Sequence, residues 1–166
     1  MTEPKSSIAD LQDEGFVDAQ FGMPTNFAAA GGYLDKVRTS AALWVEQKCG
    51  AAPYAAMDSA TYAGDCARQA EVQYASMVLF RRRYAFYESN AARGDNKDEA
   101  MVLKELRAKA DEALQGAMYW LGEALRAAGL DDSGLYDGTG FASGVVETGR
   151  YPPGWTPNWP TQAGCP

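Results

Sequence analysis

Histidine is absent from this 166-residue chain. That one gap excludes His-based catalytic triads, His-ligated zinc and imidazole proton relays. Cysteine is scarce: Cys49, Cys66 and Cys165 are odd in number, widely spaced and form no C-x-x-C pair. A disulfide scaffold or a zinc site needs more ligands at closer spacing, so the expectation is three reduced thiols in a cytosolic product, with Cys49 and Cys66 as small buried packers. Positive charge is also in deficit. The formal net charge is -7, from 22 acidic and 15 basic side chains, which argues against a general nucleic-acid footprint. No apolar run approaches the roughly 18 residues of a membrane span. The opening MTEPKSSIADLQDEG lacks the basic-then-apolar pattern of a secretory signal. No membrane partner is expected.

What is abundant is alanine, with 29 residues, 27 of them before Gly129. Alanine is the strongest helix former, so the body of the chain reads as all-α. The composition then changes: residues 130–166 carry five of the eight prolines, seven glycines and no lysine. Three regions follow, an acidic and partly irregular segment over 1–27, a helical bundle over 28–129 and an extended arm over 130–166. In the first, Ile8, Leu11, Phe16, Val17 and Phe21 suit a short helix or an extended edge.

Hydrophobic spacing sets out the bundle. Leu34, Val37, Ala41, Trp44 and Val45 fall on one face of a helix expected from about Phe27 to Cys49, with Gly50 as its C-terminal stop. AAPYAAM reads as a connection. A second helix is expected from about Asp58, as N-cap, to Ala92, carrying a stripe of Tyr62, Cys66, Ala70, Tyr74, Met77, Tyr84 and Tyr87; it would be a rod of roughly 50 Å. Arg93-Gly94-Asp95 is a hinge, and Asn96 with Glu99 matches capping-box logic. In the third helix Leu103, Leu106, Ala110, Ala113, Ala117, Trp120 and Ala124 step 3-4-3-4-3-4, a heptad seam flanked by Leu114, Leu121 and Leu125. Two long helices joined by a short polar turn pack antiparallel. The fold expected is a small all-α bundle built on a long antiparallel helical hairpin, with an extended C-terminal arm.

Candidate chemistry is sparse. Glu71, Glu88, Glu105, Asp111, Glu112 and Glu123 read as solvated helix acids, with Glu105–Lys109 an i,i+4 pair. The DDSGLYDG stretch lacks the alternating ligands and closing Glu of a calcium loop. Gly138-Thr139-Gly140 lacks the third glycine and the strand–helix context of a nucleotide fingerprint. No catalytic, cofactor-binding or metal-binding residue is expected, and the chain does not read as an enzyme. The candidate partner-binding residues are of two kinds. Arg81, Arg82 and Arg83 concentrate positive charge and either solvate two helix faces, meet an acidic protein partner or contact DNA phosphate. Tyr151, Trp155 and Trp159 stand in a proline-broken arm more apolar than a free linker, so they either fold back on the body or anchor on a neighbour.

The helix pattern YLDKVRTSAALWV, the long QAEVQYASMVLFRRRYAFYE, the helix KDEAMVLKELRAKADEALQGAMYWL and the Pro/Trp arm together resemble, over residues 28–166, the head-tail adaptor (connector) proteins of tailed bacteriophages. The resemblance is one of architecture, with no diagnostic short motif. It implies a structural virion protein at the head-tail junction, made in the bacterial host cytoplasm. It further implies a homo-oligomeric ring of twelve subunits beneath the portal protein, arms that grip the portal, and a tail-side connector or stopper below. DNA would pass through the channel without specific binding, and an acidic wall suits such passage. The competing expectation is a cytosolic helical regulator or inhibitor that acts by protein binding.

Overall fold

The computed structural model of the protein describes residues 3–22, 26–91 and 97–130. Among these residues the chain is helical, with no strand. The order is α1 (Ile8–Asp13), a 3-10 turn (Asp18–Phe21), α2 (Tyr33–Cys49), α3 (Ala51–Ala56), α4 (Tyr62–Ala91) and α5 (Lys97–Ala127). The Arg93–Asp95 hinge and the Asn96 cap lie outside the described residues, as does the 131–166 arm. No described helix is long and apolar enough to cross a membrane.

The expected hairpin is present: α4 and α5 pack along their length, antiparallel, with Tyr62 at the start of α4 facing Glu123 near the end of α5. The seam runs where the heptad spacing put it. Leu106, Ala110, Ala113, Ala117 and Ala124 are buried, flanked by buried Leu121 and Leu125, while Leu103 and Trp120 are half-buried at its edge. Small side chains let the helices approach closely. A Cβ added at Gly116 of α5 would come within 3.0 Å of Gln73 Oε1 on α4. Gly129 closes α5 by adopting φ +69, which lets the Leu130 amide donate to Leu125 O and the Gly129 amide to Arg126 O. These are the paired bonds of a Schellman cap, and the left-handed residue favours glycine.

The opposite side of α4 carries the second core. Val72, Ala75 and Leu79 meet Leu34, Val37 and Ala41 of α2, and Leu11, Phe16 and Phe21 of the N-terminal segment close over both. Phe16 packs edge-on against Phe80, and Phe21 stacks on Phe27, each with ring centroids 5.1 Å apart. Burying such side chains stabilises by about 1.5–3 kcal/mol each. The N-terminal segment is thus tied down by Leu11, Phe16 and Phe21. Val17 is the exception, at 50% exposed. Helix α4 is therefore central, covered by α5 on one side and by α2 with the N-terminal segment on the other.

Three boundaries differ from those read in the sequence. Helix α2 begins at Tyr33, not Phe27, because residues 27–32 form turns in which the Leu34 amide donates to Phe27 O and Gly32 becomes the N-cap. The AAPYAAM connection is mostly helix α3, since Pro53 stands in its first turn, where the missing amide costs no helical bond. Asp58 does not cap α4 directly: its carboxylate accepts from the Ala60 amide at 2.9 Å to form a turn. Thr61 is the cap, its Oγ1 accepting from the Gly64 amide at 3.1 Å.

Candidate functional site

The most heavily constructed polar cluster in the described body centres on Glu71, which the sequence reading took for a solvated helix acid. That reading is corrected: Glu71 is 0% exposed. Its position on α4 puts it one turn from buried Ala67 and buried Ala75, on the face that meets the N-terminal segment. Oε2 accepts from the Ser6 amide at 2.8 Å and the Ser6 hydroxyl at 2.7 Å. Oε1 accepts from the Lys5 amide at 3.3 Å and from the Tyr54 hydroxyl at 2.5 Å. The Lys5 ammonium donates to Met57 O and stands 4.5 Å over the Tyr54 ring, so a cation faces the same cluster. Burial first, and then Glu71, push the Tyr54 hydroxyl far above the usual tyrosine range.

Two arginines extend the clamp outward. Arg38 of α2 donates to Ser6 O at 2.9 Å while pairing with Asp35 at 2.6 Å. Arg68 of α4 bridges Asp10 of α1 at 3.0 Å and Asp65 at 2.7 Å. The segment from Glu3 to Gly22 is in effect a strap, fastened at one end by polar bonds to Glu71 and along its length by Leu11, Phe16 and Phe21.

Beside the strap lies a groove of about 790 Å³ between the N-terminal residues, α2 and α3. Glu3, Glu46 and Asp58 stand on its lining, with Leu43, Tyr54 and Met57 among its apolar members. Leu43 is 42% exposed, a large apolar side chain left open. Lys5 is the basic residue lining the groove, and its ammonium is occupied by Met57 O.

The structure separates the three arginines of the sequence reading. Successive positions on a helix point about 100° apart, and each finds different surroundings. Arg81 is exposed and lines a depression of about 300 Å³ with Tyr84 of α4 and Leu106, Arg107, Ala110 and Asp111 of α5. Arg82 is exposed and close enough to Tyr33 for its charge to oppose the rise that burial imposes on that hydroxyl. Arg83 is half-buried, its Nε sealed from solvent without an acceptor, near Glu105. Glu105 itself is held below the usual carboxylate range first by hydrogen bonding from Lys109, its partner at 2.9 Å, and more weakly by Arg83. The cationic pair that the fold does assemble is Arg81 with Arg107, one from each long helix; Arg107 was missed because its partner lies across the hairpin.

Cys66 is buried as expected and Cys49 is half-buried, both as free thiols. Burial pushes the Cys49 thiol up to about 11, against a small opposing effect of Lys5. Tyr151, Trp155 and Trp159 lie outside the described residues. No family model, curated protein or solved structure matches the chain.

Proposed function

We propose that this chain is a structural head-tail adaptor (connector) of a tailed phage, forming a ring beneath the portal and joining head to tail. The observation that carries the reading is the use to which the buried polar groups are put. Glu71, Tyr54 and Ser6 satisfy one another in holding the strap, and none of these bonds is left open to a reacting molecule. A scaffold spends buried charge in this way; an enzyme holds it in a cleft where substrate can reach it. The long α4–α5 hairpin with α2 and the strap against it, followed by the arm bearing Tyr151, Trp155 and Trp159, is also the arrangement on which the resemblance to adaptors rests.

In this reading the surface does the work. The arm supplies aromatic anchors for the portal, the exposed arginines and the acid-lined groove supply protein contacts, and the negative balance lets DNA pass without adhering. Mixing the purified chain with portal rings of tailed phages and imaging the product tests it. Rings of this chain stacked on the portal are the expected result. A chain that stays monomeric beside every portal and instead captures a cytosolic protein supports the regulator reading and defeats this one.

A further inference from the structure

We propose that the depression between α4 and α5 is a carboxylate-binding site, in which Arg81 and Arg107 together take the side chain of one acidic residue from a protein partner. The proposal rests on the adaptor reading only for the premise that this surface meets protein, and it adds the chemistry of that contact.

Elsewhere the chain pairs its arginines by one local device. Arg38, Arg68 and Arg126 each hold an acid placed three residues earlier: Asp35 at 2.6 Å, Asp65 at 2.7 Å and Glu123 at 2.6 Å. The corresponding residue is Val78 before Arg81 and Lys104 before Arg107, so the device is missing at both. Asp111 follows Arg107 by four residues, but base before acid is the weaker order on a helix, and the two are not within ion-pair distance. Neither Arg81 nor Arg107 has a carboxylate partner among the described residues. Both nevertheless line one depression of about 300 Å³, contributed from different helices. Like charges gathered in this way repel until an anion joins them. On the lining, two arginines against one aspartate leave a single positive charge in excess. At its edge Glu88, which meets the Tyr84 hydroxyl, is offset by Lys104, one turn before Arg107.

One carboxylate fits that excess. Its two oxygens can accept from both guanidiniums at once. Tyr84 adds a further donor: its hydroxyl lies 3.5 Å from Glu88, beyond the usual O–H···O range of up to about 3.0 Å, and can turn to a better acceptor. Leu106 and Ala110 are buried and give the depression an apolar floor, which suits the methylene stem of a glutamate better than a bare ion. A phosphate dianion would bring more negative charge beside Asp111 than the lining offsets. A nucleic acid needs a run of cations along its backbone, and a chain of net charge -7 repels a polyanion before it arrives. The site therefore matches an acidic protein segment that carries apolar residues beside its carboxylate.

Titrating the isotopically labelled full chain with defined probes, followed by nuclear magnetic resonance, tests the site. The probes are a blocked tripeptide with a central glutamate between two leucines, its glutamine counterpart, inorganic phosphate and a short DNA duplex. The glutamate peptide should shift the side-chain signals of Arg81 and Arg107 and the methyl signals of Leu106 and Ala110, and the shifts should shrink as salt rises. The glutamine peptide should leave them in place. Arg81→Gln or Arg107→Gln should each weaken binding on the order of tenfold, and Asp111→Asn, which removes the opposing charge, should tighten it several-fold. Circular dichroism confirms that each variant is folded, and the shifts in the parent chain need no variant at all. Absent shifts, equal shifts from the glutamine peptide, or folded arginine variants that bind like the parent overturn the proposal. Tighter binding of phosphate or of the duplex at these residues overturns it too, since the site then belongs to phosphate. Portal is left out of every titration, so the two readings fail separately: a chain that takes the peptide here but docks on no portal keeps the site and defeats the adaptor, and a chain that docks without taking the peptide does the reverse.

Discussion

Replacing Glu71 by alanine should be among the most damaging single changes in the body, for reasons that can be worked through bond by bond. The carboxylate accepts from two backbone amides and two hydroxyls. Two of the donating residues, Ser6 and Tyr54, are buried, so water cannot replace the lost acceptor without opening the strap. An orphaned buried donor costs about 1–3 kcal/mol, and breaking a buried charged cluster costs about 3–5 kcal/mol in all. Taking about 4 kcal/mol, and about 2–4 °C per kcal/mol for a chain of this length, the melting temperature should fall by roughly 10 °C. Glu71→Gln keeps the volume and one accepting oxygen but turns an amide NH2 toward other donors; it should fall about half as far. Glu71→Leu offers a sharper comparison. A buried ion can often be exchanged for an apolar side chain when its partners are exchanged too, yet here two donors are backbone amides that no substitution removes. Leucine should therefore destabilise as alanine does. Thermal melts give the magnitude, and hydrogen exchange at the Ser6 amide shows whether the strap is the part released. An alanine variant melting within a degree or two of the parent, with Ser6 still protected, would refute the reasoning.

The hairpin seam makes a second prediction: Ala117→Asp places an unpaired carboxylate at a fully buried position and should cost on the order of 3 kcal/mol or more in denaturant unfolding, whereas Ala108→Asp, on an exposed position of α5, should cost little. Raising the pH should weaken the fold from about pH 9 upward. The Cys49 thiol has an ordinary value of 9.0 and is raised to about 11 in the folded chain, so in that window the unfolded chain has released a proton that the folded chain keeps. Tyr54, also raised, adds in the same direction, and Cys49→Ala should flatten the early part of the decline in a pH series of melts. Deleting residues 150–166, which removes Tyr151, Trp155 and Trp159, should leave the melt of the body unchanged while abolishing docking to portal; normal docking by the truncated chain would show that those anchors are dispensable.

The hairpin was legible in the sequence because its signal is periodic and long. Seven apolar positions at alternating steps of three and four leave little freedom in which face of α5 is buried, and five of them are the buried seam residues. Element ends were less legible, since they depend on short-range bonds that compete. Asp58 and Thr61 are both good cap residues, and the turn between them decided for Thr61. The Glu71 cluster was missed although one signal was present: Ala67 and Ala75 mark that face of α4 as apolar, so an acid between them stood on the inward side. Residue type outweighed position in that reading. Its partners, Ser6 and Tyr54, lie 65 and 17 residues away and carry no local pattern. The Arg81–Arg107 pair was hidden for the same reason, because a sequence shows neighbours along the helix and not across the hairpin.

The strap has a consequence for the order in which the chain acquires its structure during synthesis. Ser6 leaves the ribosome 65 residues ahead of the carboxylate that will hold it. At about 5–20 residues per second, the N-terminal segment must wait several seconds, its Leu11, Phe16 and Phe21 still without the α2 and α4 surfaces they will cover. Helix α2 can form early, but the strap closes once α4 has emerged at least as far as Glu71. The strap is therefore made before the surfaces that fix it, and translation speed through residues 6–71 sets how long its aromatic side chains stand exposed to chaperones or to other nascent copies.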